Sequence, residues 1–138
     1  MNPAMRPGTF VRVLFPTREK PRAPGLLHIG YVLIFAARQQ EVIVAYTTSQ
    51  PWARDVPLPA GARLFDTREA ASLNQSRPFL LRMDLLARLP ATSRWFPDLD
   101  AYNRAVIATA SPALQSELTH LAVNIGRWHR ELLEMRGP

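Results

Sequence analysis

The sequence predicts an α+β fold in which a small, strongly bent β-sheet precedes a helical C-terminal extension. Runs rich in β-branched and aromatic residues occur in the first two thirds of the chain, separated by loops that contain proline and glycine. The last third instead carries apolar residues at helical spacing. The chain has 138 residues, the length of one domain, so we expect a single domain over residues 1–138 with its sheet core over residues 8–90 and helices over residues 98–136.

The composition excludes several classes of protein. The chain has no cysteine, which rules out disulfides, thiolate zinc sites and a cysteine nucleophile. No apolar run approaches the roughly 18 residues of a membrane span, and residues 1–7 lack the apolar core of a signal peptide. We therefore expect a soluble, cytoplasmic protein with no membrane partner.

The charge balance is basic, with 17 Lys and Arg residues against 11 Asp and Glu residues and a net charge of +6. Lys20 is the one lysine, so 16 of the 17 basic residues are arginine. Arginine presents a planar fork of donors that matches phosphate, which favours a nucleic-acid partner. An arginine bias is equally typical of coding composition, so charge alone leaves this interpretation open.

Strands and loops alternate through the first part of the chain. The segments predicted as strands are residues 8–15, 29–35, 41–47, 55–58 and 79–86. Residues 17–25 hold four charges, two prolines and a glycine, and they predict a basic surface loop. Residues 67–73 predict a short helix that is capped by Thr67 and followed by Asn74 in a left-handed conformation.

The C-terminal third predicts two helices. Asp98 or Asp100 is the expected cap of the first helix, and Ser111-Pro112 is the expected start of the second. The first helix is expected to present Leu99, Tyr102, Val106 and Ile107 on one face. The second carries a heptad pattern of Leu114, Leu118, Leu121, Ile125, Trp128, Leu132 and Met135. Such a stripe packs either within the chain or on a second subunit, and we favour a cover within the chain by the first helix.

A glycine-led strand and a charged loop are followed by VAYTTSQ at residues 44–50, DVPL at residues 55–58, FLLRMD at residues 79–84 and LARLP at residues 86–90. The order of these segments resembles the PemK/MazF family of toxin endoribonucleases. The resemblance covers residues 8–90 and rests on order and spacing. It implies a small SH3-like β-barrel of the MazF/CcdB type, a homodimer, and a cognate antitoxin as partner.

The implied activity is cleavage of single-stranded RNA by its own 2′-hydroxyl, without a metal or any other cofactor. One alternative is a non-catalytic member of the family that binds an antitoxin, RNA or a gyrase-like target. A second alternative is an assembly protein whose C-terminal helix is its main interface.

Within the implied reaction, three residues are candidate catalytic groups. Arg82 and Asp84 alternate on one strand, so they project to one face and can bracket a phosphate, with Asp84 as base and Arg82 stabilising charge. A simple surface ion pair is the alternative for these two residues. His28 stands where most relatives carry arginine, and its imidazole suits the acid at the leaving oxygen. Alternatively, His28 only makes a backbone hydrogen bond and Arg22 supplies the missing cation.

Further residues are candidate substrate contacts. The resemblance implies that the hydroxyls of Thr47, Thr48 and Ser49 contact RNA. Lys20 and Arg22 are candidate phosphate contacts in the basic loop. Trp52 and Tyr46 are candidates for stacking an unpaired base, with packing in the core as the alternative. No metal site is expected, because His120 and His129 lack the i, i+4 spacing of a helical metal pair.

Overall fold

The computed structural model describes residues 5–50, 57–99, 104–125 and 130–134, which form a mixed α+β structure. Its elements in chain order are β1 (Thr9–Leu14), β2 (Leu27–Ala36), β3 (Glu41–Thr48), β4 (Ala62–Phe65), α1 (Thr67–Ser72), β5 (Phe79–Pro90), β6 (Val106–Thr109), α2 (Pro112–Asn124) and β7 (Glu131–Glu134). The predicted α+β class is confirmed. The sheet is curled into half of a barrel, which is compatible with the small barrel that the sequence predicts.

The sheet has the strand order β4-β5-β3-β2-β1-β6, with all of these neighbours antiparallel and β7 paired in parallel with β5. Its register shifts once between β2 and β3, at Val32/Ile34, and once between β3 and β5, at Ala45/Tyr46. Such irregularities bend a strand and increase its twist. They account for the curl of the sheet.

Two hydrophobic clusters lie on opposite faces of this sheet. The first is centred on Val13, Val44 and the fully buried Trp95, which belongs to the segment after β5. The second packs Phe10 and Leu81 of the sheet against Leu118 of α2. Because both faces are covered, no residue of β3 is exposed: each is either buried or half-buried.

The short helix α1 spans Thr67–Ser72, but its cap lies one residue earlier than the sequence indicates. Its N-cap is Asp66 and not Thr67, because the Asp66 carboxylate accepts from the backbone N–H of Glu69 at 2.8 Å while the Glu69 side chain accepts from the Asp66 N–H at 3.0 Å. Asn74 follows the helix with a φ of 62°, so its predicted left-handed conformation is confirmed.

The prediction of a helix after Asp98 or Asp100 is wrong. Val106 and Ile107 belong instead to strand β6, which pairs with β1. Both residues are β-branched and therefore favour strands, and β1 would otherwise present an unpaired edge. Asp100 and Tyr102 lie outside the described residues.

Two strand predictions also need correction. Pro57 and Leu58 lie in no strand, and Asp55 and Val56 are outside the described residues. The strand β4, which pairs with the first part of β5, was not predicted. Strand β5 itself continues past Leu86 to Pro90, where its second half pairs with β3 and β7.

The heptad pattern does not form one helix. Helix α2 begins at the predicted Ser111 cap, with Pro112 in its first turn, but it ends at Asn124 and Leu132 lies in β7. Gly126, a typical residue beyond a helix end, follows in the sequence, and β5 offers an edge for the chain to pair with. Trp128 and Met135 lie outside the described residues.

The apolar stripe of α2 is nevertheless covered within the chain. Leu118 and Ile125 are buried in the second cluster, with exposed fractions of 0% and 5%. Their partner is the protein's own sheet, where we predicted a neighbouring helix.

Among the described residues, no helix combines the length and the apolar character needed to cross a membrane.

Candidate functional site

A cleft of about 360 Å³ opens at the end of the sheet where β2 begins and β3 ends. Its lining combines two strand termini with the turn between α1 and β5. The lining residues are Arg12, Leu27, His28, Ile29, Thr47, Thr48, Ser49, Asn74, Gln75, Ser76, Arg77, Phe79 and Ile107. The cleft therefore gathers hydroxyl, amide, imidazole and guanidinium groups around a small apolar surface.

The β2–β3 pairing brings four of the predicted site residues together here. Tyr46 lies opposite Gly30, so the start of β2, with His28, runs beside the end of β3, with residues 47–49. The Thr47 hydroxyl donates to the carbonyl of Ile29 at 2.7 Å and ties the two strand ends together. Residues that are 18 or more positions apart thus line one cleft.

The three predicted hydroxyl residues differ in what they have to offer a ligand. Thr47 is buried and its hydroxyl is committed to the Ile29 carbonyl, so its role is to hold the strand ends. Thr48 is also buried, and its hydroxyl oxygen accepts from the backbone N–H of Gln50 at 3.2 Å, which leaves its hydrogen to donate. Ser49 is exposed at the cleft.

His28 is half-buried, and its ring packs against the ring of Tyr46 with 4.9 Å between centroids. Burial lowers the pKa of His28 below its ordinary value of 6.5, because it disfavours the charged imidazolium. A hydrogen bond between His28 and the backbone of Thr47 opposes this effect. It raises the pKa because a ring N–H that donates to the Thr47 carbonyl favours the protonated imidazole. The net lowering leaves His28 neutral at pH 7, with a ring nitrogen able to accept a proton.

The cleft also contains two arginines that no sequence motif indicates. Arg12 forms an ion pair with Asp98 at 2.8 Å, and both side chains are nearly half exposed. Arg77 is exposed in the turn between α1 and β5. Neither belongs to a recognisable motif, and only the curled sheet brings them beside His28, so the sequence alone offered no means of finding them.

Arg82 and Asp84 form a bidentate ion pair on β5. The Arg82 Nε and Nη2 donate to the two Asp84 carboxylate oxygens at 2.8 and 2.7 Å, and the side chains are only 25% and 12% exposed. This hydrogen bonding is the main reason that the pKa of Arg82 is raised. Neither residue lines the cleft. Because both oxygens of Asp84 are engaged, its carboxylate is poorly placed to take a proton from a substrate.

Tyr46 lies between this ion pair and His28. It stands directly opposite Arg82 in the β3–β5 register, and its ring contacts both His28 and Phe15, the latter at 5.1 Å between centroids. Residues opposite each other on paired strands project to the same face. Tyr46 thus packs in the core, the alternative to base stacking, and connects the two parts of the predicted site.

The basic loop stands apart from the cleft. Lys20 and Arg22 line a shallow groove formed by residues 19–23, and neither lines the cleft beside His28. Arg18, in the same loop, is bound to Glu131 of β7 at 2.7 Å. Trp52, the other predicted stacking residue, lies outside the described residues.

No group of three or more His, Cys, Asp or Glu side chains that could hold a metal ion occurs in the part of the chain that the structure describes. His120 is exposed on α2, and His129 lies outside that part.

No family model matches the chain, and no curated protein matches it either.

Proposed function

We propose that this protein is a PemK/MazF-like endoribonuclease that cleaves single-stranded RNA in the cleft beside His28. The observation that carries the proposal is the gathering of His28, Thr48, Ser49, Arg12 and Arg77 around one opening. Two guanidinium groups attract and orient a phosphate, and hydroxyls donate to its oxygens. The open cleft leaves room for an unpaired strand.

The lowered pKa of His28 favours the role of general base in this reaction. The sequence had instead indicated His28 as the general acid. The neutral imidazole accepts the proton of the RNA 2′-hydroxyl, and the 2′-oxygen forms a bond to phosphorus. The bond from phosphorus to the 5′-oxygen then breaks, and that oxygen takes a proton from water in the cleft. The imidazolium returns its proton to solvent, leaving a 2′,3′-cyclic phosphate and a 5′-hydroxyl.

Arg77 and Arg12 are the groups we propose to stabilise the negative charge that accumulates on the phosphate oxygens. Arg77 is exposed, and the ion pair of Arg12 with Asp98 is itself exposed and exchanges readily for a phosphate contact. The hydroxyls of Thr48 and Ser49, which also line the cleft, add donors. These groups take the part that the resemblance implied for Arg82.

Arg82 and Asp84 act in this proposal through position rather than by contact with RNA. Their ion pair is fixed on β5 directly opposite Tyr46, whose ring supports the imidazole of His28. Loss of the pair would therefore disturb His28 indirectly.

The homodimer, the cognate antitoxin and the cytoplasmic location belong to the same proposal and are supported by the resemblance of residues 8–90 alone.

A non-catalytic binding protein of the same family is the second candidate. The engagement of both Asp84 oxygens by Arg82 favours it, since the acidic residue expected to act as base is not free. Such a protein would bind RNA, an antitoxin or a gyrase-like target and leave RNA intact.

Incubation with a mixed-sequence single-stranded RNA in excess EDTA separates the two candidates. The endoribonuclease is expected to produce fragments with 5′-hydroxyl and 2′,3′-cyclic phosphate ends, and His28→Ala is expected to lower the rate at least about 100-fold. His120→Ala changes an exposed histidine on α2 and serves as the matched control, with full activity expected. Intact RNA at micromolar wild-type protein would favour the binding protein.

A further inference from the structure

The turn between α1 and β5 supplies two adjacent amide side chains to the cleft. Asn74 and Gln75 both line it, together with His28 and the end of β3. Amide side chains carry both a donor and an acceptor, so their use in recognition depends on which of the two is already occupied.

In both residues the amide nitrogen donates to a backbone carbonyl of the protein. The Asn74 Nδ2 donates to the carbonyl of Ile107 at 2.9 Å. The Gln75 Nε2 donates to the carbonyls of Leu73 and Asn74 at 3.4 and 3.1 Å. A backbone carbonyl can only accept, so these partners also fix which end of each amide is the nitrogen. The two amide oxygens are left for a ligand as neighbouring acceptors, and one N–H of Asn74 is left as well, whereas both N–H groups of Gln75 point at backbone carbonyls.

Apolar surface lies in the same cleft beside these acceptors. Leu27 is 47% exposed and Ile107 is half-buried, and both belong to the lining. An unpaired base presents an apolar face together with a polar edge, and single-stranded RNA is commonly recognised by contacts to both. The cleft thus has a surface for the face of a base and two acceptors for its edge.

We propose that Asn74 and Gln75 select the base bound in this cleft, and that they prefer guanine. Guanine presents two neighbouring donors on its Watson–Crick edge, N1–H and the N2 amino group. Adenine and cytosine each present a single amino group there, and uracil presents one N–H between two carbonyl oxygens that would face the protein's acceptors. The inference rests on the proposed function, because it concerns RNA in the same cleft.

The test measures binding and does not depend on cleavage. Four short, fluorescently labelled oligonucleotides have identical uridine flanks and differ in one central base, and 2′-O-methylation prevents cleavage. Fluorescence anisotropy gives a Kd for each. We expect the guanine oligonucleotide to bind about tenfold more tightly than the uracil one, with the other two between them, since one pair of hydrogen bonds to a base edge gives discrimination of this size.

The test variant is Asn74→Gly/Gln75→Ala. Glycine tolerates the left-handed backbone of Asn74, so the turn is expected to keep its shape. The guanine preference should fall to near onefold while the affinity for the uracil oligonucleotide changes little. The matched control is Gln40→Gly. Gln40 is exposed, also has a positive φ, of 51°, and also donates its amide to a backbone carbonyl, that of Ala37, but it lies outside the cleft.

The outcomes distinguish this inference from the proposed function. Equal affinity of the wild type for all four bases, or a preference that survives in the double variant, overturns the role of Asn74 and Gln75 and leaves RNA binding intact. A preference lost equally in Gln40→Gly also overturns it. Failure of the wild type to bind any of the four contradicts RNA binding in this cleft, and with it both proposals.

Discussion

Replacement of Asp84 by asparagine should destabilise the protein by about 2–3 kcal/mol. The change keeps the side-chain volume but leaves the guanidinium of Arg82, 25% exposed, without its bidentate carboxylate partner. Exposed ion pairs contribute about 0–1 kcal/mol, whereas removal of one partner of a buried pair costs about 3–5 kcal/mol. The pair of Arg82 and Asp84 is mostly but not completely buried, so the loss of stability on removing the Asp84 carboxylate lies between these limits.

Urea unfolding followed by circular dichroism at pH 7 measures this change. The matched control is Asp98→Asn, which breaks the exposed ion pair with Arg12 and should cost less than about 1 kcal/mol. Arg82→Met should destabilise by an amount similar to Asp84→Asn, and the double variant by less than the sum of the two. Equal small losses for Asp84→Asn and Asp98→Asn would refute the view that the Arg82 pair supports the sheet beneath Tyr46.

Three further predictions concern the fold and His28. Gly61→Ala should cost about 2–4 kcal/mol in urea unfolding, because Gly61 has a φ of 86° and a Cβ there would meet the side chain of Ile125; a neutral change would contradict this packing. Asp66→Ala should cost about 1 kcal/mol by removing the α1 cap, and no loss would rule out the capping box. Because folding lowers the pKa of His28, the unfolded chain binds its proton first, so wild-type stability should fall relative to His28→Gln as pH drops below 6.5, and the difference between the two should be constant above it; parallel curves over the whole range would refute the burial of His28.

The sequence predicted the strands and helix starts that local chemistry determines. The β-branched runs of β1, β2 and β3 became strands, and Ser111-Pro112 began a helix, because propensity and capping act over a few residues. The predictions failed for segments whose secondary structure depends on pairing with a strand that is distant in the sequence. Val106 and Ile107 form a strand because β1 offered an unpaired edge. Leu132 lies in a strand and not in the predicted helix because β5 also offered an edge.

Only part of the candidate site could be predicted from the sequence. His28 and residues 47–49 were selected from the sequence, and the hairpin register brings them together. Arg12, Arg77 and the two amides of the α1–β5 turn were missed, because they join the cleft only through the curl of the sheet. The partner of Asp84 was foreseeable from the two-residue spacing, but its burial was not, since that depends on strands paired from elsewhere in the chain.

The pH dependence of RNA cleavage under single-turnover conditions in EDTA tests the central claim most directly. If neutral His28 takes the 2′-proton, the rate should rise with pH on the acid side, with a pKa below the 6.5 of an ordinary histidine, and stay level through pH 7. The rising limb should be lost in His28→Ala and kept in His120→Ala. A rate that falls between pH 6 and 8 would contradict the account, because it would make His28 an acid, and so would a His28→Ala variant that cleaves RNA as fast as the wild type.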